Sequence, residues 1–271
     1  MMLDFLYNTI PGRVVLRPLI SPAFSKLGGF LLDTKASKAL IPFFVKKSGI
    51  DVSDYDLDHI NCFNDFFCRP LARGKRRIEM DPSCLVAPCD GLLSVYRIRQ
   101  DAVVPVKQSA YKMSDLLRSK KLAARYEGGY CLVFRLCVDH FHRYMYAASG
   151  RKSATRRIEG VYHTVRPVAL RKEPVFVENT REYTLIRSEC LGTLLQMEVG
   201  AMLVGRIVNN RPDACTVIRG TEKGRFEYGG STIILMVEKN RVTLDDRVLP
   251  YADTDLELPV RMGERIGEAC Q

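Results

Sequence analysis

The sequence predicts an α+β fold, in which a β-rich single domain over residues 51–271 follows an N-terminal region of amphipathic helices over residues 1–50. Apolar residues of the N-terminal region recur at helical spacing, whereas most of those after residue 80 fall in short runs separated by turn residues. Hydrophobic residues make up 46% of the 271 positions, which is enough for a sizeable core. Because the chain has no internal repeat and no low-complexity linker, we expect one compact body behind the helices.

Two amphipathic stretches are expected in the N-terminal region. Ser21 and Pro22 suit the N-cap and first position of a helix. The apolar stripe of that helix comprises Phe24, Leu27, Phe30 and Leu31. The second stretch, which Pro42 is expected to kink, carries Leu40, Ile41, Phe44 and Val45 against Lys35, Lys38, Lys46 and Lys47. Apolar stripes with lysine flanks are typical of helices in a membrane interface, but helices that pack on a core look the same, so both arrangements stay open.

The body begins with a short helix and continues mainly in strands. Phe63, Phe66 and Phe67 form an aromatic helical face that ends at Arg69-Pro70. Ser114 is expected to cap a brief helix through Leu117. Strands are predicted over 84–87, 92–98, 130–138, 143–147, 158–162, 183–190, 193–199, 202–208, 215–219, 232–238 and 241–244.

Charge and cysteine usage limit the partners and the compartment. The formal net charge of +10 favours an anionic partner such as a phospholipid surface or nucleic acid. Nucleic acid is disfavoured because the chain has no tryptophan and its basic clusters lack interleaved aromatics. Nine cysteines, an odd number without a CxxC pair, indicate reduced thiols in a cytosolic setting, with Cys131 and Cys137 as core residues of strands. No apolar run reaches the roughly 18 residues of a spanning helix, and no signal peptide is expected.

The tetrapeptide Gly229-Gly230-Ser231-Thr232 precedes an apolar run over residues 233–237. A serine that follows glycine can attack the preceding carbonyl and cleave its own chain, and glycine tolerates the close backbone approach that this attack needs. Elimination and hydrolysis then leave a pyruvoyl group at the new N-terminus. The same tetrapeptide also suits an ordinary turn before a buried strand, so it indicates self-cleavage only together with other residues.

Four further segments, and a fifth that contains this tetrapeptide, occur in a defined order along the chain. They are FNDFFCRPL at 63–71, APCDG at 87–91, DHFHRY at 139–144, VGAMLVGRI at 199–207 and KGRFEYGGST at 223–232. Together they resemble the phosphatidylserine decarboxylases, pyruvoyl enzymes of phospholipid synthesis. The resemblance covers about residues 60–240 and includes the subgroup that carries Gly-Gly-Ser-Thr.

The resemblance implies a reaction and a set of residues. Cleavage between Gly230 and Ser231 would give a β chain of residues 1–230 and an α chain of residues 231–271 that carries the pyruvoyl cofactor. Asp90 and His142 would form the charge relay that activates Ser231. The enzyme would convert phosphatidylserine to phosphatidylethanolamine and CO2, as a peripheral protein on the cytoplasmic face of an anionic membrane. The resemblance to a lipid enzyme also favours membrane contact by the helical region of residues 1–50. Arg69, Arg143 and Arg206 are basic residues that could meet the lipid phosphate.

One position departs from the best-known form of the family, which has a second histidine three residues after the first. This chain has Met145 there, and methionine cannot move a proton. Either His142 serves both self-cleavage and decarboxylation, or His140 supplies the other function. Two residues apart on a predicted strand, both histidines would face the same side. We favour His142 for both steps.

Two alternatives belong to other classes of protein. His140 and His142 could be metal ligands, but the other histidines, His59 and His163, lie at no recognisable metal spacing. A non-catalytic basic lipid-binding module is the other alternative, and it predicts an intact chain of 30.7 kDa. The sequence leaves open whether the chain forms a homo-oligomer.

Overall fold

A computed structural model of the chain describes residues 2–99, 101, 103–106, 109–165, 167–170, 173–201, 206–227 and 231–270. Its α-helices are α1 Met2–Asn8, α2 Ile10–Leu19, α3 Pro22–Leu32, α4 Ile41–Ser48, α5 Phe63–Phe67, α6 Met113–Leu117, α7 Lys120–Arg125, α8 Pro167–Leu170 and α9 Val175–Glu178. Its strands are β1 Cys84–Val86, β2 Gly91–Arg97, β3 Val103–Val106, β4 Ser109–Lys112, β5 Tyr130–Leu136, β6 Arg143–Met145, β7 Gly150–Lys152, β8 Arg156–Ile158, β9 Arg181–Ser188, β10 Gly192–Val199, β11 Arg206–Asn209, β12 Cys215–Val217, β13 Glu222–Glu227, β14 Ser231–Val237, β15 Val242–Leu244, β16 Leu258–Val260 and β17 Arg265–Ala269. The predicted α+β, β-rich fold class is confirmed.

The largest sheet is antiparallel and has the order β12-β7-β9-β10-β14-β5-β2-β16, with β8 paired to β9. All seven residues of β14 are buried, because this strand lies between β10 and β5 and both of its faces are covered. Ile234 and Met236 join one hydrophobic cluster, whereas Ile233 and Leu235 join the other. This alternation explains why residues 233–237 form an unbroken apolar run.

A second, three-stranded sheet has the order β11-β13-β6. The sequence prediction missed β13, because its residues, Glu222–Glu227, are largely charged and do not alternate with apolar ones. β7, β16, β17 and the β3–β4 hairpin were also missed. The strand predicted over 158–162 is wrong in its position, since β8 ends at Ile158. Part of the strand predicted over 202–208 lies outside the described residues, and its remainder corresponds to β11.

The N-terminal helices divide into a part that packs on the body and a part that faces solvent. Leu6, Tyr7 and Leu16 of α1 and α2 are buried in a core cluster. Along α3 and α4, in contrast, the large side chains of Leu27, Phe30, Leu31 and Phe43 are exposed. The structure thus shows core packing for α1 and α2 and an exposed apolar surface on α3 and α4, and membrane contact by that surface stays a prediction. Within the described residues, every helix is too short or too polar to cross a bilayer.

Three local predictions in the helices have clear outcomes. The Ser21 cap of α3 is confirmed, since Ser21 Oγ accepts a hydrogen bond from the Phe24 N–H at 3.2 Å. The kink at Pro42 is wrong, because Pro42 lies in the first turn of α4, where its missing N–H costs nothing. The cap at Ser114 is also wrong: the N-cap of α6 is Lys112, without a side-chain hydrogen bond.

Candidate active site

Three strand ends meet at one edge of the large sheet. β5 ends at Leu136, and its neighbour β14 begins directly opposite, at Ser231. On the other side of β5, β2 begins at Gly91, and Leu92 pairs with Arg135. Because β2 and β14 both run antiparallel to β5, Asp90, Ser231 and the segment after Leu136 lie at the same edge.

Ser231 is the first residue of β14 and is fully buried. Its Oγ has no hydrogen-bond partner among the residues that the structure describes. Leaving a buried hydroxyl unpaired costs about 1–3 kcal/mol, so its presence here calls for a structural or catalytic explanation. Gly230, the other half of the expected cleavage site, lies outside the described residues, as do Tyr228 and Gly229.

His142 lies in the loop between β5 and β6 and is fully buried. Its Nδ1 is 2.9 Å from the carbonyl oxygen of His140. Since a carbonyl can only accept, Nδ1 carries the proton and Nε2 carries the lone pair. The Phe67 ring packs against the imidazole, with 4.0 Å between the ring centroids. The ring is thus held in the tautomer that a general base acting through Nε2 requires.

His140 is half-buried and adopts the opposite tautomer. Its Nδ1 accepts a hydrogen bond from the Cys137 N–H at 3.1 Å, so in the neutral ring Nε2 carries the proton. Burial lowers the pKa of His140, against the charges of Asp139 and Asp90, which raise it. The expectation that both histidines face one side of a strand is wrong, because β5 ends at Leu136 and residues 137–142 form a loop. Cys137, predicted inside a strand, belongs to the same loop.

Asp90 makes its hydrogen bonds to groups far away in the sequence rather than within a local turn. Arg76 binds the carboxylate with two bonds, Nε to Oδ1 at 3.1 Å and Nη2 to Oδ2 at 2.5 Å. The Met262 N–H donates to Oδ1 at 2.8 Å. These bonds to Asp90 raise the pKa of Arg76, which also pairs with Asp54. The Asp90 charge is also among those that raise the pKa of His140.

Arg69 stabilises the histidine loop by a hydrogen bond to its backbone. The side chain is fully buried and donates to the carbonyl oxygens of Phe66, at 3.2 Å, and Asp139, at 3.1 Å. Its guanidinium also lies 4.1 Å from the centre of the Tyr55 ring. An arginine used in this way cannot meet a lipid phosphate. Sequence reasoning missed the supporting role because each partner is identified only by the fold.

The other two arginines considered for phosphate contact differ from each other. Arg143 donates from Nε to the Cys68 carbonyl at 2.6 Å and pairs with Glu222 at 3.0 Å. Arg206 has a side chain that is 71% exposed and pairs with Glu227 at 3.2 Å. Arg206 therefore has the greater freedom to bind a ligand.

Metal chemistry gains no support from the arrangement of side chains. Across the residues for which coordinates are described, no group of three or more His, Cys, Asp or Glu side chains could hold a metal ion. The Nδ1 atoms of His140 and His142 are both engaged by backbone groups.

Comparisons with known proteins agree with the motifs. The family model described as phosphatidylserine decarboxylase matches residues 63–268. Phosphatidylserine decarboxylase proenzyme 2 of Clostridium acetobutylicum is 39% identical over 98% of this chain and 91% of its own length. The phosphatidylserine decarboxylase proenzyme of Ruminiclostridium cellulolyticum is 37% identical over 98% of this chain and 90% of its own length. A Clostridium botulinum protein of the same name is 38% identical, with 98% and 92% coverage.

Proposed function

Because the chain belongs to the phosphatidylserine decarboxylase family, we propose that it cleaves itself between Gly230 and Ser231 and then decarboxylates phosphatidylserine to phosphatidylethanolamine. The observation that carries the proposal is the buried Oγ of Ser231, which has no partner within the described residues and lies at the same sheet edge as the His142 loop. A serine hydroxyl is a weak nucleophile near neutral pH and needs a base. His142, with its lone pair on Nε2, is the base that we assign.

Self-cleavage requires no reactant other than residues of the chain and one water molecule. Ser231 Oγ would attack the Gly230 carbonyl carbon while its proton passes to His142 Nε2, and the peptide bond would become an ester. Loss of the Ser231 Cα proton then expels Gly230 as a carboxylate and leaves a dehydroalanine. Water replaces the nitrogen of that residue, which leaves as ammonia, and a pyruvoyl group remains. The environment fits this product, because the Ser231 side chain sits among buried residues without a competing hydrogen bond in the described structure.

A pyruvoyl group supplies a ketone that binds the substrate amine and draws off the electron pair released with CO2. The protein must then hold the substrate and return a proton to the carbon that has lost CO2. Protonated His142 Nε2 would deliver that proton. The rings of Phe63 and Phe67, whose centroids lie 6.5 Å apart, form an apolar surface. Low polarity favours decarboxylation, because a carboxylate becomes neutral CO2.

Membrane contact is a further part of the proposal. We assign it to α3 and α4, whose exposed apolar side chains include Leu27, Leu31 and Phe43, with Lys46 and Lys47 in the last turn of α4. The net charge of +10 would add attraction to anionic lipids. The protein would bind the cytoplasmic face of the membrane peripherally.

Intact-mass spectrometry and a CO2-release assay test the function. The wild-type chain should appear as fragments 1–230 and 231–271, with the second blocked to Edman sequencing, and should release CO2 from phosphatidylserine. Ser231→Ala should remain one chain and release none. Ser94→Ala, at another buried serine of the large sheet, should be cleaved normally. Full activity of an uncleaved Ser231→Ala chain would overturn the proposal.

A further inference from the structure

Two adjoining cavities lie beside α3, α5 and the β11-β13-β6 sheet. The inner cavity, of about 580 Å³, is lined by α5 residues and by Cys68 and Arg143. The outer cavity, of about 430 Å³, runs along α3. Asp33, Arg206 and Glu227 line both cavities, so these three residues mark the junction between them.

The inner cavity borders residues that are bonded to the elements of the candidate active site. Cys68 follows Phe67, whose ring packs on His142, and the Cys68 thiol donates to the carbonyl oxygen of Phe226 at 3.2 Å. Arg143 follows His142 directly and is tied to the Cys68 carbonyl. The inner cavity is therefore lined by the residues that directly follow Phe67 and His142 in the chain.

The outer cavity opens among the apolar side chains of α3. Phe30 lines it and is 70% exposed, and the neighbouring Leu27 and Leu31 are exposed as well. Lys26, one turn before Phe30, lines the same cavity. The groove is thus apolar beside α3, at the surface that we assign to the membrane, and polar beside Asp65 and Arg143.

The charged residues around the junction include a carboxylate that is shared by two arginines. Arg206 and Arg225 pair with the same carboxylate, that of Glu227, at 3.2 and 3.0 Å. Glu227 is almost fully buried, whereas Arg206 is largely exposed. Counted over its whole lining, the outer cavity has three cationic residues, Lys26, Arg157 and Arg206, against two carboxylates, Asp33 and Glu227, so one positive charge remains for an anion. The inner cavity contains Asp56 and Asp65, which favour a cationic group beyond the junction.

We propose that the groove binds a glycerophospholipid, with its phosphodiester on Arg206 and Lys26, its amino-acid head in the inner cavity and its acyl chains along α3. This inference rests on the proposed function and identifies the substrate-positioning residues of that site. The order of groups in the lipid matches the order in the groove: apolar at Phe30, anionic at Arg206 and zwitterionic beside Asp65 and Arg143.

Steady-state kinetics with a short-chain, soluble phosphatidylserine tests the assignment. Arg206→Gln should cleave itself fully but show a KM raised about 10- to 100-fold, with kcat within about twofold of wild type, as expected for the loss of a charge-assisted contact. Arg206→Lys should recover part of the difference because it keeps the charge, and Lys26→Gln should raise KM less. Arg211→Gln, at an exposed arginine just beyond β11, is the matched control and should leave KM unchanged.

Inorganic phosphate separates a lipid site from a general phosphate site. Phosphate should inhibit the wild type only at concentrations more than about tenfold above the lipid KM, because it lacks the acyl chains that the groove holds. Inhibition by phosphate at the lipid KM would overturn the lipid assignment. Equal KM values for Arg206→Gln and Arg211→Gln in an active, cleaved enzyme would overturn the subsite alone, whereas a wild type without decarboxylase activity would overturn the proposed function.

Discussion

The Lys223 ammonium lies 2.6 Å from Oε2 of Glu198, and both side chains are almost completely buried. Lys223 Nζ also donates to Asn209 Oδ1 at 2.8 Å. Lys223 and Asn209 belong to the β11-β13-β6 sheet, whereas Glu198 belongs to β10 of the large sheet. The pair therefore joins the small sheet, whose strand β6 follows the His142 loop, to the large sheet, whose strand β14 begins at Ser231.

Breaking this pair should destabilise the protein strongly. In Lys223→Met the Glu198 carboxyl would lose its counterion while remaining buried, and we expect the free energy of unfolding to fall by about 3–5 kcal/mol. The double variant Lys223→Met/Glu198→Leu should recover most of this loss. Arg247→Met, which breaks a largely exposed pair with Glu264, should cost less than about 1 kcal/mol. Urea unfolding measures all three, and a small effect of Lys223→Met would contradict the structural role.

The stability of Lys223→Met should also depend on pH. Burial raises the pKa of Glu198 even beside Lys223. A carboxyl whose pKa is raised in the folded state favours folding while it is protonated, and this contribution is lost as pH rises through the folded-state pKa. The free energy of unfolding of Lys223→Met should therefore decrease between about pH 5 and about pH 8. A flat profile over that range would show that the carboxyl finds another partner.

The tautomers of the two histidines predict which one acts as the base. His142→Ala should block cleavage, because it removes the lone pair on Nε2. His140→Ala should cleave normally, since the group that orients His142 is the backbone carbonyl of residue 140, which alanine retains. Mass spectra decide between them. Normal cleavage of His142→Ala together with failure of His140→Ala would transfer the role to His140.

Asp90→Asn should also block cleavage if Asp90 belongs to the relay. Arg76 binds Asp90 with two hydrogen bonds. Loss of cleavage in Asp90→Asn could therefore result from the broken ion pair with Arg76 and not from the loss of a relay carboxylate. Arg76→Met is the matched control, since it breaks the same ion pair but leaves the carboxylate in place. Cleavage should be slower in Asp90→Asn than in Arg76→Met. Equal rates in the two variants would reduce Asp90 to a structural partner of Arg76.

His140 should make the protein sensitive to acid. Its lowered pKa means that the folded state favours the neutral ring, so its contribution to stability is present above the unfolded-state pKa of about 6.5 and is lost as pH falls through the lower folded-state value. His140→Asn should reduce the stability loss between about pH 7.5 and about pH 5. His59→Asn, at an exposed histidine, should leave it unchanged. Urea midpoints at the two pH values test this, and identical slopes in all three proteins would contradict it.

Membrane binding should depend on the exposed apolar side chains of α3 and α4. Leu27→Ser/Leu31→Ser/Phe43→Ser should sediment much less with anionic vesicles, with little change in the turnover of a short-chain substrate. The control Met80→Ser/Ile218→Ser/Leu256→Ser removes side chains of similar exposure elsewhere on the surface. Added salt should weaken wild-type binding in part. Substitutions are preferable to removing residues 1–50, which would also strip Leu6, Tyr7 and Leu16 from the core. Equal sedimentation of the two triple variants would place the contact elsewhere.

The sequence by itself determined the features that depend on neighbours along the chain. The apolar run at 233–237 predicted the central strand β14, Ser21-Pro22 predicted the start of α3, and the ordered motifs identified the family and the candidate residues Asp90, His142 and Ser231. Each rests on local spacing or on a pattern of residues that can be read without coordinates. The charged strand β13 was missed because its residues become compatible with a sheet only when their partners on other strands are present.

Only the tertiary structure decided how the candidate residues are held. The proton position on His142 depends on a carbonyl in a tight loop, the Asp90 carboxylate is bound by Arg76, and Arg69 turns inward to support the loop instead of facing a ligand. Lys223 and Glu198 could not be paired from sequence, since they lie on strands of different sheets. Hydrogen bonds and ion pairs of this kind act over a few ångströms in space between residues far apart in the chain, so their partners exist only once the strands have been brought together.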